Sequence, residues 1–277
     1  MGLRIATNIA SQSVQKNLKE VSNTGNSELE KLSSGKRITK ASDDAAGLAI
    51  ATNLEAQTKG LRQATRNAND GISLVQTAEG GLNETSNILV RLRELTIQSA
   101  SDTVGDTERG FLDKEYQQLN KEIDRISEST TFNGAQLLNG KGKGTMDFQV
   151  GAFSGEQNKI SFDSSESDSS SSAIGVSGTS IADKSDALDA IANVDTAIEK
   201  VSGQRATLGS IQSRLTSTVK NLETQTINQD SARSVIQDVD VADASARLAS
   251  TQVVKNAGVS TLAQANNIPN AALRLIG

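Results

Sequence analysis

Between Ser42 and Ala100 an apolar residue returns at every seventh position: Leu54, Leu61, Ala68, Val75, Leu82 and Leu89. Seven residues make about two helical turns, so these six share one stripe of one helix. No proline interrupts the stretch. Ser42 is placed to cap the helix, and Asp43 and Asp44 bring carboxylates to the positive end of its dipole. Unbroken, the helix spans roughly 85 Å at about 1.5 Å per residue, longer than ordinary globular domains hold. The positions four after each stripe residue are Thr58, Thr65, Ile72, Glu79, Ser86 and Arg93, of which only Ile72 is strongly apolar. A two-stranded coiled coil wants both seam positions apolar. The flanking row Ala64, Gly71, Ala78 and Thr85 is small instead. Leucines beside small residues suit close packing among several helices, so the stretch reads as one helix of a rod-like bundle with more than one partner.

Composition supports a thin bundle over a thick globule. The 277 residues include one proline, Pro269, where average usage gives roughly 14. There is no Trp, one Tyr (Tyr116) and five Phe, and aromatics supply much of the buried area of compact cores. Cysteine and histidine are absent. That excludes disulfides, thiolate and imidazole metal sites, and any triad needing His or Cys. The net charge of −5 favours neither nucleic acid nor an anionic membrane, and no run suits a transmembrane helix. Met1-Gly2-Leu3-Arg4-Ile5 lacks the apolar core of a secretory signal, and Ala6 breaks the myristoylation pattern. These features alone describe a cytosolic protein without cofactor or metal.

Along the chain, Ile5, Ile9, Val14, Leu18, Val21, Leu29 and Leu32 fall near helical spacing over residues 3–32. Gly35 ends that helix, and Lys36, Arg37 and Lys40 form a solvated basic cluster before Ser42. A second helix is expected over 107–129, with Leu112, Leu119, Ile123 and Ile126 on its apolar face; the short loop before it makes it antiparallel to the long helix. Asn133-Gly134 and Asn139-Gly140 are turn dipeptides. Met146, Phe148 and Val150, then Ile160 and Phe162, alternate with polar residues and predict one β-hairpin, the only expected sheet. The serine-rich run 163–172 reads as a flexible exposed loop. A third helix is expected over 185–230, capped by Asp183 or Ser185, with Val194, Val201, Leu208, Leu215 and Leu222 at sevens and Ile191, Ile198 and Val219 as a second row. In the last segment, 231–276, Val235, Val239, Ala242, Ala246, Ala249 and Val253 form one face, continued by Leu262 and Ala265. Pro269 ends or kinks that helix, and Leu273, Leu275 and Ile276 form an apolar tail.

The fold class is therefore mainly α: a long antiparallel helical bundle or coiled coil with one small hairpin, and terminal helices paired into a second coiled coil. The corresponding segments are 1–42, 43–182, 183–230 and 231–277. Apolar helices at both termini are a liability in a free monomer and a joining surface in a polymer. The residues expected at that surface are Ile5, Ile9, Leu18, Val21, Val253, Leu262 and Leu273. No catalytic or metal-binding residues are assigned. Asp43-Asp44 and Asp238/Asp240 read as helix-start charges, and Asn83-Glu84-Thr85 is a mid-helix chance match to the N-glycosylation pattern.

Several of these runs carry a resemblance. Leu32-Ser-Ser-Gly-Lys-Arg-Ile38, followed by Ala41-Ser-Asp-Asp-Ala-Ala-Gly-Leu-Ala-Ile50, resembles the amino-terminal signature of bacterial flagellins. Arg91-Leu-Arg-Glu-Leu-Thr-Ile-Gln-Ser-Ala100, Thr131-Phe-Asn-Gly134 with Leu137-Leu138, and Leu262-Ala-Gln-Ala-Asn-Asn-Ile-Pro269 are similar to further flagellin segments in the right order. The resemblance covers about 1–162 and 183–277, and the short distance between these parts implies a form without large outer domains. It implies a filament subunit that polymerises with itself and is exported through the flagellum's own channel without a cleaved signal peptide. A chaperone would cover the carboxy-terminal helix, and cap and hook-junction proteins would be further partners. It also implies contact with the Toll-like flagellin receptor of animal hosts through Arg91, Leu95, Gln98 and Glu115, and O-glycosylation at Ser164, Ser165, Ser169 and Ser170. Two alternatives stay open: a hook–filament junction protein, which shares the terminal pattern, and a cytosolic coiled-coil scaffold, which fits the heptads but not the apolar termini.

Overall fold

A computed structural model of the chain describes residues 7–142 and 144–273, of which 268–273 by backbone alone. The elements are α1 (Ile9–Ser34), α2 (Ala45–Ser99), α3 (Asp106–Ser129), β1 (Thr131–Phe132), β2 (Ala135–Gln136), β3 (Thr145–Gln149), β4 (Lys159–Asp163), α4 (Ser171–Ile174), α5 (Lys184–Gln237) and α6 (Val241–Leu273). They form two compact units. One holds the described residues through Ala56 and those from Asn228 on; the other is Gln57–Ile227.

In the 57–227 unit α2 is buried along three rows, each repeating at seven. The expected stripe Leu61, Ala68, Val75, Leu82 and Leu89 is one. The small row Ala64, Gly71, Ala78 and Thr85, continued by Leu92 and Ser99, is the second. Leu74 and Leu95, joined by half-buried Gly81 and Ile88, are the third. Three rows cover too wide an arc for one partner, and α2 packs against both α3 and α5. Arg91 meets Glu115 and Gly81 lies under Thr130, so α3 runs antiparallel to α2. Arg93 meets Asp195, and Leu61 and Ala64 cluster with Leu222, so α5 is antiparallel to α2 as well. On α5 the stripe Val194, Val201, Leu208, Leu215 and Leu222 is buried as expected and begins one heptad earlier, at Ala187. The second row differs from expectation. Ala190, Ala197 and Ile211 are buried, whereas Ile191, Ile198 and Val219 are only half-buried. Small residues face the neighbours there, as on α2. Each fully buried Leu contributes about 1.5–3 kcal/mol.

The predicted hairpin is β3–β4, antiparallel, with Met146 opposite Phe162 and Phe148 opposite Ile160. It lies along α2. The Phe148 ring sits 3.2 Å from where a Gly71 Cβ would stand, Ala152 sits 3.3 Å from the same point on Gly60, and Asn67 Nδ2 donates to Gln149 O at 3.0 Å. It is not the only sheet. Phe132 pairs with Ala135 in the smaller hairpin β1–β2, whose turn residues Asn133 and Gly134 have φ of 49° and 77°. Two left-handed residues in a two-residue loop match the twist of the flanking strands.

The serine-rich run is the clearest correction. It is ordered, and Ser164, Ser167, Ser169 and Ser171 are buried. Ser164 Oγ donates to Gly144 O at 2.9 Å, the Ser169 amide donates to Leu138 O at 2.8 Å, and Ser171 gives its amide and hydroxyl to the Asp124 carboxylate of α3 at 2.8 and 2.9 Å. Gln204 of α5 donates to Asp168 O at 2.8 Å. Small side chains that carry their own donors satisfy a tightly turned backbone, so low apolar content does not produce disorder here.

In the other unit α1 and α6 pair antiparallel. Asn8 Nδ2 donates to Ala265 O at 2.9 Å, and Ser11 Oγ donates to Asn266 Oδ1 at 2.8 Å. A Cβ on Gly25 would stand 3.2 Å from Thr251, and one on Gly258 would stand 3.2 Å from Leu18. At the far end the backbones of Lys36 and Asp238 form an isolated antiparallel β-bridge, and the Val239 amide donates to Gly35 O at 3.0 Å. The apolar face expected along 231–276 divides: Val235, near the end of α5, and Ala249 and Val253 of α6 are exposed, while Ala244, Thr251, Gly258 and Ala265 repeat at seven along the buried or half-buried side of α6 with Leu248 and Leu262 beside them. The boundaries shift too. Asp44, not Ser42, caps α2 by accepting the Gly47 amide at 2.8 Å. Asp43 accepts from the Thr39 hydroxyl and from the Lys40 and Thr39 amides, which hold its carboxyl below the usual carboxylate range. α5 continues past 230 to Gln237, Asp240 caps α6, and α6 runs through position 269 to Leu273 rather than stopping at Pro269.

Candidate assembly and recognition surfaces

Pairing α1 with α6 uses one face of each helix and leaves another. The seam of α1 is Ser11, Leu18, Gly25 and Leu32 with Val14, Val21 and Glu28, all buried or half-buried. Facing it are the small and leucine positions of α6. Of the residues expected to join copies, Leu18, Val21 and Leu262 lie half-buried on this seam. Ile9 and Val253 point away from it, 58% and 67% exposed. Ile5 and the Leu273 side chain lie outside the described residues. Three outward valines of α6 escaped the sequence reading, Val241, Val254 and Val259, each half exposed or more. The signal for them was the small row Ala244, Thr251, Gly258 and Ala265, which fixes which side of α6 turns inward. A groove of about 580 Å³ runs between the helices, lined by Val21, Gly25, Leu29, Leu248, Gln252 and Lys255 among others.

The second surface lies where α2 meets α3. Arg91 reaches Glu115 at 2.9 Å across the helices and Glu94 at 2.9 Å along its own. Hydrogen bonds to Glu94, then Glu115, raise its pKa above the ordinary guanidinium value, so the charge is fixed. Gln98 is exposed about two turns further on, beside exposed Phe111 in a groove of about 520 Å³. Leu95 does not join this surface. It is fully buried with Tyr116 and Ile123 in the core, so its side chain acts on the surface only by holding α2 against α3. Below the surface Arg109 is buried and donates to Ser99 O at 2.9 Å, Ser101 O at 3.0 Å and Asp106 at 2.9 Å, tying off the end of α2.

The four serines expected to carry sugar divide by burial. Ser164 and Ser169 have no exposed surface, Ser170 is half-buried and caps α4 by accepting the Ala173 amide at 3.4 Å, and Ser165 is exposed. Among the described residues there is no group of three acidic side chains placed to hold a metal ion, and no helix is long and apolar enough to cross a membrane.

Comparison with known proteins settles the family. The profile of the bacterial flagellin N-terminal helical region matches residues 5–143, and that of the bacterial flagellin C-terminal helical region matches residues 191–276. The chain belongs to the bacterial flagellin family. Flagellin of Halalkalibacterium halodurans is 42% identical over 269 residues, covering 97% of this chain and 98% of its own. Flagellin of Bacillus subtilis is 37% identical over 303 residues, covering 99% and 100%. The crystal structure of Bacillus cereus flagellin superimposes with a TM-score of 0.51 at 33% identity, over 61% of this chain and 94% of that one. Flagellins are structural proteins, and this one is a short-form subunit of the extracellular flagellar filament, polymerising with itself.

Proposed function

We propose that the outward faces of α1 and α6 are where copies of this flagellin join. The observation that carries the reading is apolar exposure on a helix pair whose seam is already closed: Ile9, Val253, Val254 and Val259 are about half exposed or more. Such residues gain nothing in a lone monomer and are covered when another copy packs on them. A patch that meets a different patch on the next copy does not close into a ring, and so extends an open helical polymer. Val253→Asp places a carboxylate on this face without touching the seam. It is expected to abolish growth onto sheared filament seeds while leaving the far-ultraviolet helical signal unchanged; seeded growth at the normal rate would remove the face from the assembly surface.

The export chaperone belongs on the same helix, α6, because covering its outward valines before export blocks premature polymerisation. The filament cap and hook-junction proteins meet the chain at the growing end and the base. For the Toll-like receptor of animal hosts, the reading rests on exposed Arg91, Gln98 and Glu115, with Leu95 as a packing residue beneath them. Arg91→Ala removes the fixed cation and its links to α3, and purified monomer carrying it is expected to signal several-fold less through the receptor. Undiminished signalling contradicts the assignment. Exposed Ser165 is the best placed of the four serines for O-glycosylation, and a sugar mass on its peptide from native filaments is the check.

A further inference from the structure

Two Asn-Gly dipeptides stand six residues apart in the segment after α3, and the fold treats them in opposite ways. Asn139 is 8% exposed. Its Nδ2 donates to the Gln136 side chain at 2.6 Å, and its Oδ1 accepts the Lys141 amide at 3.1 Å. Behind it, Gly140 is pressed against the Asp168 carboxylate, which lies 2.6 Å from where a Cβ would be. Asn133 sits at the tip of the β1–β2 hairpin. It is exposed, its backbone is left-handed, and among the described residues neither its side-chain amide nor the Gly134 amide is engaged in a hydrogen bond. A Cβ on Gly134 would meet nothing within 4 Å, so the approach to its nitrogen is open.

We propose that Asn133 is a site of spontaneous covalent modification in the folded chain, through succinimide formation with Gly134, and that Asn139 is protected. The Gly134 amide nitrogen, having lost its proton to solvent base, attacks Asn133 Cγ. The Cγ–Nδ2 bond breaks, and ammonia leaves with a proton taken from water. The resulting five-membered imide is opened by one water molecule at either carbonyl. Opening at the side-chain carbonyl gives aspartate; opening at the main-chain carbonyl gives isoaspartate, in which the chain passes through the former side chain. The balance is one water consumed and one ammonia released, with no oxidant or reductant. Only a glycine leaves the attacking nitrogen unshielded by a Cβ, which is why Asn-Gly is the most labile such pair, and asparagine is among the thermolabile residues that heat-adapted proteins avoid. Isoaspartate adds a backbone atom to a two-residue turn that needs two left-handed residues, so the Phe132–Ala135 pairing above buried Leu137 and Leu138 loosens with age.

The test is to incubate purified full-length chain at mildly alkaline pH and follow both residues by tandem mass spectrometry, with isoaspartyl methyltransferase labelling to separate the two products. The tryptic peptide ending at Lys141 holds both asparagines, so fragment ions assign the site. A parallel sample in urea removes the fold. In the native chain Asn133 is expected to convert about tenfold or more faster than Asn139, because Asn139 reacts only after its two hydrogen bonds open; in urea the two rates converge. Equal rates in the native chain, or an Asn133 that stays intact natively while converting in urea, would overturn the proposal. Asn133→Gln should remove the early signal and leave the slow Asn139 signal in place.

Discussion

At the scale of single residues, the adjacent glycines Gly80 and Gly81 show how closely side chains are specified. Nothing lies within 4 Å of a Cβ on Gly80, which faces solvent in the middle of α2. A Cβ on Gly81 would come within 2.7 Å of both Leu138 Cδ1 and Thr130 Oγ1. Leu138 is fully buried and the Thr130 hydroxyl is held by Ile126 O at 2.7 Å, so neither yields easily. Gly80→Ala is therefore expected to stabilise the chain by about 0.5–1 kcal/mol, through helix propensity and a less flexible unfolded state. Gly81→Ala is expected to destabilise it by about 1–3 kcal/mol through overpacking. Urea denaturation midpoints measure both, and shifts of the same sign would mean that α2 and the segment after α3 do not pack as described.

At the scale of elements, α2 holds the 57–227 unit together by burying three rows at once. Leu89→Ala, the fully buried last residue of the principal row, is expected to cost about 2–5 kcal/mol, whereas Val90→Ala next to it, half exposed, is expected to stay within about 0.5 kcal/mol. Comparable losses from both would place the row elsewhere. That row was legible in the sequence because it is made of leucine, valine and alanine at a fixed period, and so was the stripe of α5 for the same reason. The α6 seam was not legible. Ala244, Thr251 and Gly258 carry little hydrophobic signal, and helices whose backbones approach closely select for smallness rather than for apolar bulk. Placing Ala249 and Val253 on one face with Leu262 and Ala265, which the fold turns to the other side, was a consequence. The serine-rich segment was hidden in another way. Its order comes from Asp124 and Gln204 on α3 and α5, distant in sequence, which composition over ten residues cannot register. The α2 cap was placed two residues early because Ser42, Asp43 and Asp44 all have capping side chains, and only the folded loop distinguishes the one that reaches Gly47 from the one that turns back to Thr39.

For the molecule as a whole, one unit carries its own core, and the helices of the other still present apolar surface. The family and the polymeric role were legible from motifs distributed over both ends of the chain. Of the residues proposed for receptor contact, Leu95 is buried on the α2 row that begins at Leu74, a row the principal stripe did not disclose. Assembly through α1 and α6 is tested by comparing full-length chain with residues 57–227 alone, joining each to sheared filament seeds under the electron microscope and recording thermal unfolding of both. Residues 57–227 are expected to unfold cooperatively as a soluble helical monomer and never extend a seed, while the full-length chain grows filaments. Growth by residues 57–227 at a comparable rate would contradict this and move the assembly surface away from α1 and α6.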